Sequence, residues 1–384
     1  MISKGTIVYI GGFELPDKNA AAHRVINNAK IFYKLGYEIV FCGIDKSISK
    51  NSIEPINGPF YKSYPIKYPK TAIQWARYLL TFKHIKTVLS AISNLKFVIC
   101  YNMHAIPFSK TIAFCKKKKI SVIIDVTEWY ENKFSLVPNK FFKFLDTEIV
   151  MKKLNKKVDG AIVISKFLEN YYSKTLKAII LIPPLVDISE DIWNQKRETS
   201  DRISFIFNGI PEKGKEDLEL SVSCFFDIEG DYQLKMLGIT KEDFCNEFPA
   251  LKSKVYNSSE KIFFYGVVSH NDSIKLLLES DYCFILRRQS RKNNAGFSTK
   301  FVEAITTGTF VIATNTGDVA EYTNQGNVIV LNEIDKTKIQ ECITNCIMRN
   351  IKCSHVFNNC FDYQNYISSV DYFLKSIKNK GLKK

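Results

Sequence analysis

Short apolar runs, rich in β-branched and aromatic residues, recur along the chain at regular distances with longer helix-like segments between them. In the first half they are TIVYIGG, EIVFCGI, KFVICYN, SVIIDVT, GAIVIS and AIILIPP. In the second half they are ISFIFNG, YQLKMLG, KIFFYG, YCFILRR, FVIAT and NVIVL. Most are continuously apolar, which suits strands covered on both faces of a parallel sheet. Strands alternating with helices over this length predict a doubly wound α/β fold. The runs form two sets of six, separated by PPLVDISEDIWNQKRETSD, which opens on two prolines and turns polar. The expected organisation is a Rossmann-like domain over residues 1–184, a linker at 185–202 and a second Rossmann-like domain over 203–358, followed by a C-terminal helix at 359–384. Two such halves predict a cleft between them, with ligands at the carboxyl ends of the strands.

Composition narrows the class. The chain is 46% hydrophobic and 24% charged, as in a soluble globular protein. No apolar run approaches the roughly 18 residues of a membrane span. The opening MISKGTIVYIGG enters a strand-like run without a signal-peptide pattern, so a cytoplasmic location is expected. Cys342, Cys346, Cys353 and Cys360 cluster around His355 but contain no C-x-x-C pair, and scattered thiols are expected there rather than zinc. The formal net charge of +15 calls for an anionic partner: nucleic acid, a membrane surface or a phosphorylated substrate.

The stretch NNAGFSTKFVEAITTGTFVIATNTGDVAEY, residues 293–322, carries the most specific chemistry. The strand before it ends on Arg287 and Arg288, which are expected at the strand's carboxyl end. Ser298 reads as the N-cap of a helix starting near Thr299, and a helix N-terminus seats phosphate. Gly296 lets backbone approach a ligand, Lys300 adds charge, and Glu303, one turn on, can accept hydrogen bonds from a ribose diol. A capped helix with a solvated Lys/Glu pair fits the same spacing. A second βα junction, ISFIFNGIPEKGKEDLEL, follows a strand with Gly209 and then Lys213 and Lys215. Two cationic junctions in one half favour a phosphorylated ligand.

These motifs resemble the C-terminal signature of glycosyltransferase family 4, whose GT-B fold pairs two Rossmann-like domains across a central cleft. GFSTKFVEA is similar to that family's GFPTKxxE variant, and GTFVIA to its GxPVIA. YIGGFELPDKNAAAHRV, DVTEWY, VISKFLENYY with LIPPLVD, and FDYQNYISSVDYFLKSI extend the resemblance over nearly the whole chain. The resemblance implies a retaining, metal-independent transfer from a UDP- or GDP-linked sugar to a surface-polysaccharide acceptor. No D-x-D occurs, so protein cations are expected in place of a metal clamp. In this reading Glu303 holds the nucleotide ribose. Lys215 and either Arg288 or Lys300 neutralise the diphosphate. Gly209, Lys213, Gly296, Phe297, Ser298 and Thr299 line the donor site, with Gly11 and Gly12 on the opposite wall. The chain departs from the family at two positions. Ala295 stands where a first glutamate is common, and Ile210 where an arginine is frequent. A non-catalytic sugar-nucleotide-binding partner subunit and a nucleotide-sugar epimerase are the alternatives.

In the first half, Glu128 of DVTEWY is the candidate acceptor-binding or base-like residue, with Asp125 and Thr127 beside it. His23, Arg24 and His104 are fainter candidates, each equally readable as a surface or structural residue. Residues 67–96 place Trp75, Tyr78, Leu79 and Phe82 at helical spacing beside Arg77, Lys83 and Lys86. CKKKK at 115–119 and NKFFKFLDTEIVMKKLNKK at 139–157 add charge. Such a face suits an anionic membrane surface carrying a lipid-linked acceptor, although core-facing aromatics with solvated lysines give the same pattern. Nucleic acid is not expected, because no motif for it occurs.

Overall fold

The computed structural model describes residues 3–378 except 17, 52, 130–137, 196–197, 199, 213 and 354–356. All twelve apolar runs are strands. The chain divides into two compact units, one formed by Met1–Leu185 with Asp362–Lys384 and the other by Val186–Phe361.

The first unit holds β1 (Thr6–Gly11), β2 (Glu38–Cys42), β3 (Leu95–Tyr101), β4 (Ser121–Val126), β5 (Gly160–Val163) and β6 (Ile179–Leu181). They pair in parallel in the order β6-β5-β4-β3-β1-β2, and short strands at Tyr61–Ser63 and Ile56–Asn57 extend the β2 edge. Helices cover the sheet, which is why its strands read as continuous apolar runs. The helix Ala20–Lys34 is capped by the Asn19 side chain and buries Val25, Ala29 and Phe32 against Ile7, Phe41 and Phe97. The helix Ile367–Lys378 returns to this unit and packs Val370, Phe373, Leu374 and Ile377 into the same core. Its approach is close: a Cβ on Gly160 of β5 would lie 2.7 Å from Ile377 Cδ1. A side chain at Gly160 would have to displace the tips of Ile377 and Phe373.

One polar network crosses this core. Asp125, near the carboxyl end of β4 and 1% exposed, receives Arg24 Nη2 at 2.7 Å and Arg24 Nε at 2.9 Å. Arg24 spends its remaining Nη1 donor on the carbonyls of Ile182 and Pro183, at 2.9 and 3.3 Å. Tyr9 and Asn28 also donate to the carboxylate. Burial, with the Asp125 charge beside it, holds the Tyr9 phenol well above its usual range, so it remains a donor. Bidentate pairing with every donor engaged is what makes a buried ion pair tolerable.

The second unit holds β7 (Ile203–Phe207), β8 (Tyr232–Leu237), β9 (Ile262–Gly266), β10 (Tyr282–Ile285), β11 (Phe310–Thr314) and β12 (Val328–Leu331). Their order is β9-β8-β7-β10-β11-β12, all parallel, so the sheet is wound outward in both directions from β7. The β7/β10 boundary is the topological switch point, where open α/β sheets place ligands. The segment expected as a linker is packed at its start: Val186 and Trp193 are buried in this unit's core, and Val186 N–H donates to the Phe361 carbonyl at 3.0 Å.

Asp125→Asn would leave the Arg24 guanidinium buried without its counter-charge. Breaking such a pair costs about 3–5 kcal/mol. Chemical denaturation should show that loss for Asp125→Asn. Glu333→Gln, which removes the partner of exposed Lys338, should cost about 0–1 kcal/mol.

Candidate functional site

The helix Thr299–Thr306 stands at the β10/β11 crossover and buries Phe301, Val302, Ala304 and Ile305 beneath it. That burial leaves Lys300 and Glu303, three positions apart, on the helix face turned toward the end of β7. Ser298 occupies the N-cap position, yet its hydroxyl makes no capping bond. The side-chain cap expected there is therefore not made, and the Ser298 carbonyl only accepts the first intrahelical bond, from Val302 N–H at 3.3 Å. The Ser298 hydroxyl is buried with no hydrogen-bond partner among the described residues.

Glu303 is held from two sides. Asn208, directly after β7, donates Nδ2 to Glu303 Oε2 at 3.1 Å. His270, at the start of the helix His270–Leu278, approaches Oε1 with Nε2 at 3.1 Å. Asn208 is itself oriented by the Ser273 hydroxyl, which donates to its Oδ1 at 2.6 Å. The carboxylate side chain is 13% exposed, so it is fixed but still reachable.

Lys300 runs beneath the first βα turn of this unit. A Cβ on Gly209 would lie 3.1 Å from Lys300 Cε, and Gly209 has φ +86°, so only glycine fits that turn. The ammonium sits 4.5 Å from the Phe207 ring centroid and 3.6 Å from Glu216 Oε1. It makes no hydrogen bond among the described residues. Burial lowers its pKa from the ordinary lysine value. Glu216, 3% exposed at its side chain, also receives Arg287 Nη2 at 2.7 Å. Burial alone would raise this carboxyl, but Lys300 and Arg287 outweigh it and hold it below its usual range.

The other cations of this edge are matched by a row of acids. Lys215 pairs with Glu212 at 2.7 Å, and Lys292 pairs with the same carboxylate at 3.0 Å. Arg288, 73% exposed at its side chain, pairs with Asp217 at 2.5 Å. Arg287, by contrast, is a tether through Glu216. Asn293 ties the two loops together by donating to the carbonyls of Arg288 and Lys215 at 2.8 and 3.3 Å. Phe297 packs edge-on against Phe301 and Tyr322, so its side chain anchors the loop before the helix. Gly296 carries that loop past Gly317, where a Cβ would meet the Gly296 carbonyl at 2.9 Å. Thr299 opens the helix, and Lys213 lies outside the described residues. Ile210 is 64% exposed, whereas Ala295 is fully buried.

In the first unit the candidates separate. Gly11 is required by the sheet, since a Cβ there would lie 1.8 Å from the Tyr101 carbonyl oxygen. Gly12 has no atom within 4 Å of its would-be Cβ. Asp125 and Arg24 belong to the buried network described above, and Asp125 also lines a cavity of about 240 Å³. Thr127 meets the Tyr101 hydroxyl at 3.4 Å, and Glu128 is half-buried just beyond β4. His104 Nδ1 pairs with Asp146 at 2.8 Å on the rim of the same cavity. His23 lies on the helix Ala20–Lys34, half-buried. The aromatic stripe is half-buried: Trp75 packs on Tyr68 and Tyr78, and Tyr78 on His104. Ile73, Leu80 and Phe142 are large apolar residues left exposed in these segments, at 75, 54 and 66%. Among the described residues no helix is long and apolar enough to cross a membrane.

Sequence reasoning missed Asn208, Glu216, His270 and Ser273. Asn208 follows a buried strand at a carboxyl end, a signal that was present but weak. The others come from separate stretches that only folding brings together.

Glu216 gives the site a pH signature. Its folded pKa lies below the ordinary 4.5, so its contribution is present above that value and is lost as pH falls through the lower, folded one. Glu216→Gln should therefore be less stable than the parent near neutral pH, and the gap should narrow in acid. Urea melts at a series of pH values would measure it.

Residues 195–356 match the family model of glycosyl transferases group 1. No protein of curated function matches the chain in sequence. Among solved structures, the sucrose-phosphate synthase of Thermosynechococcus elongatus superposes with a TM-score of 0.74 at 14% identity, covering 98% of this chain and 100% of that one. HepE of Anabaena, solved with UDP, gives 0.65 at 11% identity, covering 97% and 100%. A glycosyltransferase of Rickettsia africae gives 0.61 at 16% identity, covering 99% and 97%. The family model lies on the second unit and the fold is shared along the whole chain: residues 195–356 carry the glycosyl transferases group 1 pattern, and the protein has the GT-B fold.

Proposed function

We propose that the protein is a retaining glycosyltransferase that moves a hexose from a UDP-sugar to a hydroxyl of a surface-polysaccharide acceptor carried on a membrane lipid. The observation that carries this reading is the pairing of Lys300 and Glu303 on one helix at the switch point. A cation with no hydrogen bond among the described residues suits a diphosphate, and a clamped carboxylate one turn away suits the adjoining ribose. HepE is solved with UDP-glucose and with UDP and glucose, which makes UDP-glucose the first donor to test.

In this mechanism the bond between the anomeric carbon and the diphosphate oxygen breaks as the acceptor oxygen bonds to the same face of that carbon. The acceptor proton passes to the departing phosphate oxygen, so no protein base is required. The second unit's part is electrostatic. Lys300 faces the leaving charge, while Lys215 and Arg288 exchange Glu212 and Asp217 for phosphate oxygens. Charge-assisted contacts of this kind contribute roughly 1.5–3 kcal/mol each. Glu128, in the first unit, is assigned to the acceptor. A basic face at the opposite end of the strand Ser121–Val126, with exposed Lys116 to Lys119, holds the enzyme at the inner surface of the cell membrane.

A second reading, a sugar-nucleotide-binding partner subunit without activity, rests on Ala295 and Ile210 at the two positions where the resembled family carries charge. Release of UDP from UDP-glucose, with and without acceptor lipid extract, separates the readings: an enzyme turns the donor over and a partner subunit does not.

Glu303→Ala should weaken UDP binding about tenfold or more with the fold intact, and Lys215→Ala should lower kcat more than nucleotide affinity. Unchanged affinity in the first, or the reverse pattern in the second, would remove that residue from its role. Replacing Lys116 to Lys119 by glutamine should weaken binding to phosphatidylglycerol vesicles, at about 1 kcal/mol per lysine near the surface. Equal binding by both proteins in a vesicle sedimentation assay would place the membrane contact elsewhere.

A further inference from the structure

We infer that His270 is a positioning residue for Glu303: it completes a clamp that makes this carboxylate a reader of the ribose diol. The inference rests on the donor site proposed above and adds to it a residue from a different helix. A carboxylate can only accept hydrogen bonds, so at 3.1 Å His270 Nε2 must carry the proton and donate it to Glu303 Oε1. Asn208 holds the other oxygen at 3.1 Å. Each oxygen thus keeps one lone pair for a ligand hydroxyl, and the plane of the carboxylate is fixed.

The clamp has an internal brace. His270 and Ser273 are three positions apart on one helix and so share a face. Ser273 donates to Asn208 Oδ1 at 2.6 Å, which leaves the Asn208 amide group pointing at Glu303. One helical face therefore fixes both donors, one directly and one through Asn208. A glutamate side chain has three rotatable torsions, and an unheld carboxylate loses that freedom on binding. Pre-organisation removes the cost from the ligand's account. The consequence is selectivity: the clamp matters for a nucleotide that offers two ribose hydroxyls and is irrelevant for one that offers none.

The test compares UDP with 2′,3′-dideoxy-UDP by calorimetric titration of the parent protein, His270→Ala, His270→Gln and Glu303→Ala, each checked for an unchanged fold by circular dichroism. His270→Ala should weaken UDP about tenfold and leave the dideoxy nucleotide within about twofold. His270→Gln, which can donate from a similar position, should recover most of the loss. Glu303→Ala should erase the difference between the two nucleotides. If His270→Ala weakens both nucleotides alike, or neither, while Glu303→Ala still weakens only UDP, the clamp is wrong and the donor reading stands. If Glu303→Ala leaves the difference intact, the ribose site itself is misplaced and the clamp falls with it.

Discussion

A buried ammonium with no hydrogen bond among the described residues is the constraint on which the second unit's carboxyl edge depends. Lys300 lies under the Gly209 turn and over the Phe207 ring, where water cannot serve it. Burying such a charge is costly unless other charges face it. Glu216 does so at 3.6 Å, and Arg287 in turn neutralises Glu216. The turn above it is glycine because its φ is +86°, and the same helix that carries the lysine holds Glu303 against Asn208. Several otherwise unrelated features follow from placing one cation there.

The first unit shows the contrast. Its Arg24–Asp125 pair is more deeply buried, yet both ions are hydrogen-bonded, to each other and to Tyr9, Asn28 and backbone carbonyls, while the Asn28 Oδ1 oxygen beside them has no partner among the described residues. Hydrogen bonds to both members of a buried ion pair fix a core. On the helix Thr299–Thr306 it is the ion itself, Lys300, that has no hydrogen bond among the described residues, as is also true of the Ser298 hydroxyl at the N-cap. The two networks contain the same kinds of residue, and whether the buried ion has its hydrogen bonds is what tells them apart.

That distinction explains what could be read in the sequence. The twelve strands were legible because most are near-continuous apolar runs, the pattern that parallel burial produces. The helix at Thr299 was legible because its apolar face repeats at helical spacing, and Lys300 and Glu303 stood out as the polar residues on the remaining face. Pairing was not legible. Arg24 and Asp125 are far apart in sequence, as are Glu303 and Asn208, and nothing in either stretch names the other. Trp75 and Tyr78 illustrate the same limit, since spacing showed a stripe but could not show that it packs on Tyr68 and His104. The acids Glu212, Glu216 and Asp217 face Lys215, Lys300 and Arg288, the cations expected at phosphate, and no spacing in the sequence announces those pairs.

The central claim is that the second unit binds a nucleoside diphosphate through protein cations and a ribose-reading carboxylate. Calorimetric titration with UDP and with GDP, each with and without a chelator, tests it most directly. The account predicts binding of UDP that survives chelation and exceeds binding of GDP. No binding of either nucleotide, or binding lost when divalent metal is removed, would contradict it.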